Sequence, residues 1–125
     1  EMSKNSSPVM GMDKNGITAL LHSVAAVVPS LYTEDFCVDV MLHPSAVSGD
    51  DGLAVMRGVL KTYMKNDGIS IHFNIFDADT LRDAQLHPEK YQNLQVRVCG
   101  WNVLWNNLSR DEQDMYIRRA DAIKD

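Results

Sequence analysis

The sequence predicts an α/β fold in which parallel strands are joined by helices. Three observations predict it. Apolar residues switch repeatedly between a helical period and strict alternation, and turn chemistry marks each switch. The helical stretches between strands are long enough to cross from one parallel neighbour to the next. With 125 residues, 45% of them hydrophobic and 23% charged, the chain suits one packed domain or a large piece of one.

The opening stretch, Glu1 to Met12, is polar and Ser-rich with Pro8 and Gly11, and reads as an irregular loop. Ile17, Leu20, Leu21, Val24, Val27 and Val28 then recur at helical spacing until Pro29 stops the pattern. Phe36, Val38, Val40 and Leu42 alternate, which predicts a half-buried strand ending at Pro44. The run from Ser48 to Gly52 is a turn rich in N-cap residues. Leu53, Met56, Leu60, Tyr63 and Met64 mark the predicted inner face of the helix that follows, and Asn66-Asp67-Gly68 ends it with residues suited to positive φ.

Ile69, Ile71, Phe73 and Ile75 predict a second strand with Ser70, His72 and Asn74 on its other face. Asp77 can cap a helix running to about Leu86, where His87-Pro88 breaks it. Residues Gln95 to Val98 form a third strand candidate, and Asn102 to Trp105 read as loop. Ser109 and Glu112 fit a capping box opening a last helix to about Ile123, with Met115, Tyr116, Ala120 and Ile123 inward. Three strands cannot close a barrel. The expected result is a small open sheet, or part of a sheet completed by another chain.

A net charge of −5 argues against a nucleic-acid groove or an anionic membrane surface. No apolar run approaches the roughly 18 residues of a membrane span, and no signal-peptide pattern is seen, so a cytoplasmic location is expected. Cys37 and Cys99 form no CxxC pair, and His22, His43, His72 and His87 show no i, i+4 spacing, so no metal site is expected. Asp50, Asp51 and Asp77 read as caps. Asp111, Glu112 and Asp114 near the start of the last helix, with Arg118, Arg119 and Lys124 near its end, suit the helix dipole. His72 and Asn74 would either line the interior of a completed sheet or form a solvated or paired face.

Gly100 stands in a run of strand formers, where glycine costs entropy and packs nothing. Local physics reads it as a bulge or tight turn that lets Trp101 change faces. Its surroundings add a second reading. His87-Pro88-Glu89-Lys90-Tyr91, Leu94, then Arg97-Val98-Cys99-Gly100-Trp101, Ser109 and Gln113 resemble the HPExY and RVxGY motifs of the glycyl radical enzymes, the pyruvate formate-lyase family. Ser7-Pro8, Gly11, Asp13, Gly16 and Thr18 resemble an upstream segment of that family. Pro44-Ser45-Ala46, Gly49, Gly52, Leu53, Phe73, Asn74, Leu81, Ala84 and Gln85 continue the likeness, which covers roughly residues 7 to 123.

The resemblance implies the C-terminal part of a ten-stranded α/β barrel: barrel elements over residues 1–86, and the radical loop with the C-terminal helix over residues 87–125, as one structural unit. It implies a radical stored on Gly100, with Arg97, Val98, Cys99 and Trp101 as loop neighbours. It implies no bound cofactor. An iron–sulfur activating enzyme using S-adenosylmethionine would install the radical, and a larger chain would supply the thiyl cysteine. Two other roles stay open: a spare part replacing the oxygen-cut end of a damaged parent enzyme, and a non-enzymatic interaction domain. Trp101 replaces the usual Tyr, Ile17 a usual Pro, and Cys99 a common Ser or Ala. Cys99 and Cys37 are both expected to be packed residues and not the thiyl cysteine. The substrate is not legible, because the pocket residues are not in this segment.

Overall fold

The computed structural model describes residues 6–8, 15–32 and 36–123. The elements run α1 (Gly16–Ala25), β1 (Cys37–Leu42), α2 (Gly49–Lys65), β2 (Ser70–Ile75), α3 (Ala78–Leu86), β3 (Gln95–Val98), β4 (Trp101–Leu104) and α4 (Arg110–Ala122). Gly11 and Asp13, most of the opening loop and Lys124 lie outside the described residues.

β1 and β2 pair in parallel, with Asp39 opposite His72 and Met41 opposite Asn74, and α2 crosses between them. This is the predicted α/β unit. The third strand departs from expectation. β3 does not join the parallel pair but turns back on β4 as an antiparallel hairpin, with Val98 opposite Trp101. The run read as loop is therefore a strand. It is too short and too exposed for a hydrophobic alternation to show, since only Val103 of β4 is even half-buried.

Two clusters cover the two faces of the pair. Val38, Val40 and Leu42 pack with Ile71 and Phe73 against Leu20, Leu21 and Val24 of α1 and Val59 and Tyr63 of α2. On the other face, Met41 joins Ala78, Leu81 and Ala84 of α3, Val96, Trp105, and Tyr116, Ile117 and Ala120 of α4. β1 is consequently buried at all six positions, and not half-buried as alternation suggested. Alternation did not reveal that a second layer covers the polar side.

Both early helices correct the sequence reading. α1 stops at Ala25, and Val27 and Val28 are exposed, with Val28 at φ +57 before Pro29. The residue before a proline is pushed out of the α region, which ends the helix early. On α2 the buried positions are Gly52, Val59 and Tyr63, whereas Leu53 is 69% and Met64 71% exposed and Leu60 is also exposed. A Cβ on Gly52 would lie 2.1 Å from the Val47 carbonyl carbon, so only glycine admits the backbone that approaches there. Leu53, Leu60 and Met64 are left as an apolar stripe on the surface. Asp67 takes φ +58 after α2, as the turn chemistry predicted.

α3 begins as expected: Asp77 Oδ1 accepts the Thr80 amide at 2.6 Å, and that bond chiefly holds the Asp77 carboxyl below its usual range. Asp50 and Asp51 are not caps as expected: Ser48 is the N-cap of α2, and the two aspartates sit in its first turn, where they favour the dipole. α4 carries the full capping box of Ser109 and Glu112. Among the described residues no helix is long and apolar enough to cross a membrane.

Candidate functional site

The site is the tip of the β3–β4 hairpin and the sheet surface beneath it. Cys99 and Gly100 form a two-residue turn with φ +47 and +88. Positive φ at both central residues marks a type I′ turn, whose twist suits a hairpin and which favours Gly at its second position. The bulge-or-turn reading is thus resolved as a turn. A Cβ built on Gly100 would meet only His72 Cε1, at 3.6 Å, an ordinary contact. Backbone conformation, and not lack of room, accounts for glycine there.

Cys99 is exposed, against the expectation that it packs. It sits at the outer end of the hairpin, one residue past Val98, away from both clusters. Trp101 is 75% exposed beside it. Arg97 ties the hairpin to itself: Nη1 donates to Asn102 Oδ1 at 2.9 Å. Val98 is half-buried and packs on the second cluster.

Asn74 clamps the hairpin to the sheet. Its Nδ2 donates to the Arg97 carbonyl at 3.0 Å, and its Oδ1 accepts the Arg97 amide at 2.8 Å. Its burial, at 3% exposure, makes both bonds matter. Tyr116 Oη donates to the same Arg97 carbonyl at 3.0 Å, and burial pushes this phenol up to about 12. Asn74 is therefore paired on the face that the hairpin covers.

The sequence motifs meet at the hairpin base. Pro88–Lys90 forms a 3-10 turn, and the Pro88 carbonyl accepts Asn106 Nδ2 at 3.0 Å. The Trp105 amide donates to the Leu94 carbonyl at 2.8 Å, and Tyr91 Oη to Asp83 at 2.7 Å. Trp105 is fully buried below, edge-on to Tyr116.

Under the turn lies a cluster that the sequence reading missed. Cys37 Sγ is 3.0 Å and Asp39 Oδ1 3.1 Å from His72 Nδ1. Cys37 is buried as expected, but among polar partners. His72 stands 35 residues from Cys37 and 33 from Asp39, so no local spacing rule finds the cluster. Only the parallel pairing of two strands whose polar positions share one face could have suggested it.

Comparison with known proteins gives one consistent result. The profile of the glycine radical family matches residues 2–106. The chain is 38% identical over 118 residues to the 4-hydroxyphenylacetate decarboxylase glycyl radical subunit of Clostridium scatologenes, covering 94% of this chain and 13% of that one. It is 38% identical over 120 residues to trans-4-hydroxy-L-proline dehydratase of Clostridioides difficile, covering 96% and 15%. A solved structure concerned with 1,2-propanediol dehydration in Roseburia inulinivorans superposes with a TM-score of 0.89 at 36% identity, covering 94% of this chain and 15% of that one. The chain thus spans about one seventh of the length of these relatives.

Proposed function

The chain belongs to the glycine radical family, and from that premise we propose that Gly100 stores an unpaired electron on its α-carbon for a reaction completed by a longer chain. The observation that carries the reading is the two-residue turn itself. It presents a glycine at positive φ on the tip of a hairpin clamped to the sheet by Asn74.

The chemistry suits glycine. Loss of one α-hydrogen with one electron leaves a carbon that flattens and shares its spin with the amides on either side, those toward Cys99 and Trp101. A β-carbon would crowd that planar form. An S-adenosylmethionine-dependent iron–sulfur activating enzyme would take the hydrogen. The exposed tip, with Cys99 and Trp101 outward, is reachable by such a partner.

In the assembled enzyme β1 and β2 would join further strands of a larger barrel, and a cysteine of the longer chain would face Gly100. The glycyl carbon would take the thiol hydrogen and leave a thiyl radical to act on substrate. The relatives named here are a decarboxylase and a dehydratase, yet they match this segment equally well. That supports a role in the shared radical step and not in choice of substrate. Exclusion of water and oxygen by the barrel would protect the intermediate.

The test is anaerobic electron paramagnetic resonance of the intact protein with activating enzyme, reductant and S-adenosylmethionine. A doublet split by one α-hydrogen is expected in the wild type and absent in Gly100→Ala. Air exposure should then cut the backbone at Gly100, read by mass spectrometry. No signal, with an activating enzyme proven competent on its own substrate protein, would overturn the assignment.

A further inference from the structure

We propose that Cys37, Asp39 and His72 bind one divalent transition-metal ion of the zinc class beneath the Gly100 turn. The strands bring the three residues together by register. Asp39 pairs with His72 across the parallel ladder, and the two-residue period sets Cys37 on the same face.

The donors already stand near the required spacing. One ligand atom from each residue lies within 4.8 Å of the other two, and the closest approaches are 3.0 Å from sulfur to Nδ1 and 3.1 Å from Nδ1 to carboxylate. Zinc binds sulfur at about 2.3 Å and imidazole nitrogen or carboxylate oxygen at about 2.0–2.2 Å, so donors around one ion sit roughly 3–4 Å apart. Small side-chain rotations suffice to admit the ion.

The donor chemistry selects the class of metal. A thiolate and an imidazole disfavour magnesium and calcium, which take oxygen ligands, and suit zinc or a similar borderline ion. Thiolate and carboxylate together bring two negative charges to a covered site, and a divalent cation neutralises them. Three protein ligands leave one position of a tetrahedral ion open.

The ligand scaffold is rigid. The Asp39 amide donates to Ser7 Oγ at 2.7 Å, and the Asp39 carbonyl accepts Arg119 Nη2 at 3.2 Å. Both bonds hold the Asp39 backbone, and so the point from which its carboxylate projects. A Cys–His–Asp nucleophile relay fits less well. Such a relay places the nucleophile and the carboxylate on opposite ring nitrogens. Here the sulfur's closer contact is to Nδ1, the nitrogen that also meets Asp39, and Nε2 is farther from it at 3.5 Å. The ion would fix His72, whose Cε1 lies 3.6 Å from where a Cβ on Gly100 would stand.

This inference stands apart from the radical reading, and the test keeps them separate. The intact, reduced, metal-stripped protein is titrated with cobalt(II) under anaerobic conditions. One equivalent is expected to bind with a sulfur-to-cobalt charge-transfer band in the near ultraviolet and four-coordinate bands in the visible. Cys37→Ser removes the charge-transfer band, whereas Cys99→Ser and Gly100→Ala retain it. His72→Gln, with folding checked by circular dichroism, weakens binding more than about 10-fold. No band in the folded protein, a band lost with Cys99→Ser, or unchanged affinity in His72→Gln would overturn the site.

Discussion

The two faces of the β1–β2 pair are made by alternate residues of the same strands, and both carry an apolar cluster, yet only one adds a set of directed polar contacts. One face is apolar: Val38, Val40 and Leu42 meet Ile71 and Phe73 under α1 and α2. The other places Cys37, Asp39, His72 and Asn74 under the hairpin and α4, joined by directed polar contacts. Hydrophobic burial is non-directional and tolerates small shifts. Hydrogen bonds across a covered face do not, so that face can fix the position of a turn. The pair is a spacer on one side and a positioning device on the other.

The largest expected effect separates these roles. Asn74→Ala removes both bonds to Arg97 and leaves its half-buried amide without a partner, a loss of about 1–3 kcal/mol. Val40→Ala on the apolar face costs a comparable amount, about 2 kcal/mol, by cavity formation. The two differ in where the loss is felt. In native-state hydrogen exchange, Asn74→Ala should expose the Arg97 amide by local opening while the β1 amides keep their protection. Val40→Ala should lower protection across both strands together. Equal behaviour in the two variants would show that the faces do not differ as described.

A smaller effect probes the same clamp by pH. Tyr116 is buried, its hydroxyl donates to the Arg97 carbonyl, and its pKa rises from the ordinary 10.0 to about 12. The unfolded chain loses this proton first, so the bond's contribution is whole below pH 10 and declines as pH climbs toward 12. Tyr116→Phe should cost about 1 kcal/mol at neutral pH. It should also flatten the alkaline fall in stability, measured by denaturant unfolding at pH 9 to 11. A fall of the same depth in the variant would place its origin elsewhere.

What the sequence made legible follows the same division. The apolar alternation of Phe36 to Leu42 and Ile69 to Ile75 located both strands, because the face packed on α1 and α2 repeats every second residue. The caps at Asp77 and Ser109 were legible because their partners lie three residues away. Gly100 stood out because glycine is unexpected among strand formers. The polar face was not legible. Asn74 finds Arg97 across 23 residues and His72 finds Asp39 across 33, and neither spacing is a local pattern. The apolar face of α2 was misread because Leu53, Leu60 and Met64 keep a helical period while pointing outward. Such a stripe suits burial against the longer chain proposed above.

The smallest effect concerns the turn that the polar face holds. Cys99 has φ +47, a region that asparagine and glycine occupy readily and cysteine seldom does. The hairpin therefore carries strain next to the proposed radical carbon, of a size that functional turns store at about 1 kcal/mol or more. Asn-Gly is the favoured pair for this turn. Cys99→Asn should raise stability by about 0.5–1 kcal/mol in denaturant unfolding, because the native conformation no longer costs backbone strain. The side chain is exposed, so no packing is lost to offset the gain. If strain at this position serves only the fold, radical yield on Gly100 should stay level in Cys99→Asn. If the strained turn aids opening toward the activating enzyme, the more stable variant should be activated more slowly. A slower activation alongside a higher unfolding midpoint would place the strain in the function of the turn, and an unchanged midpoint would remove it from consideration.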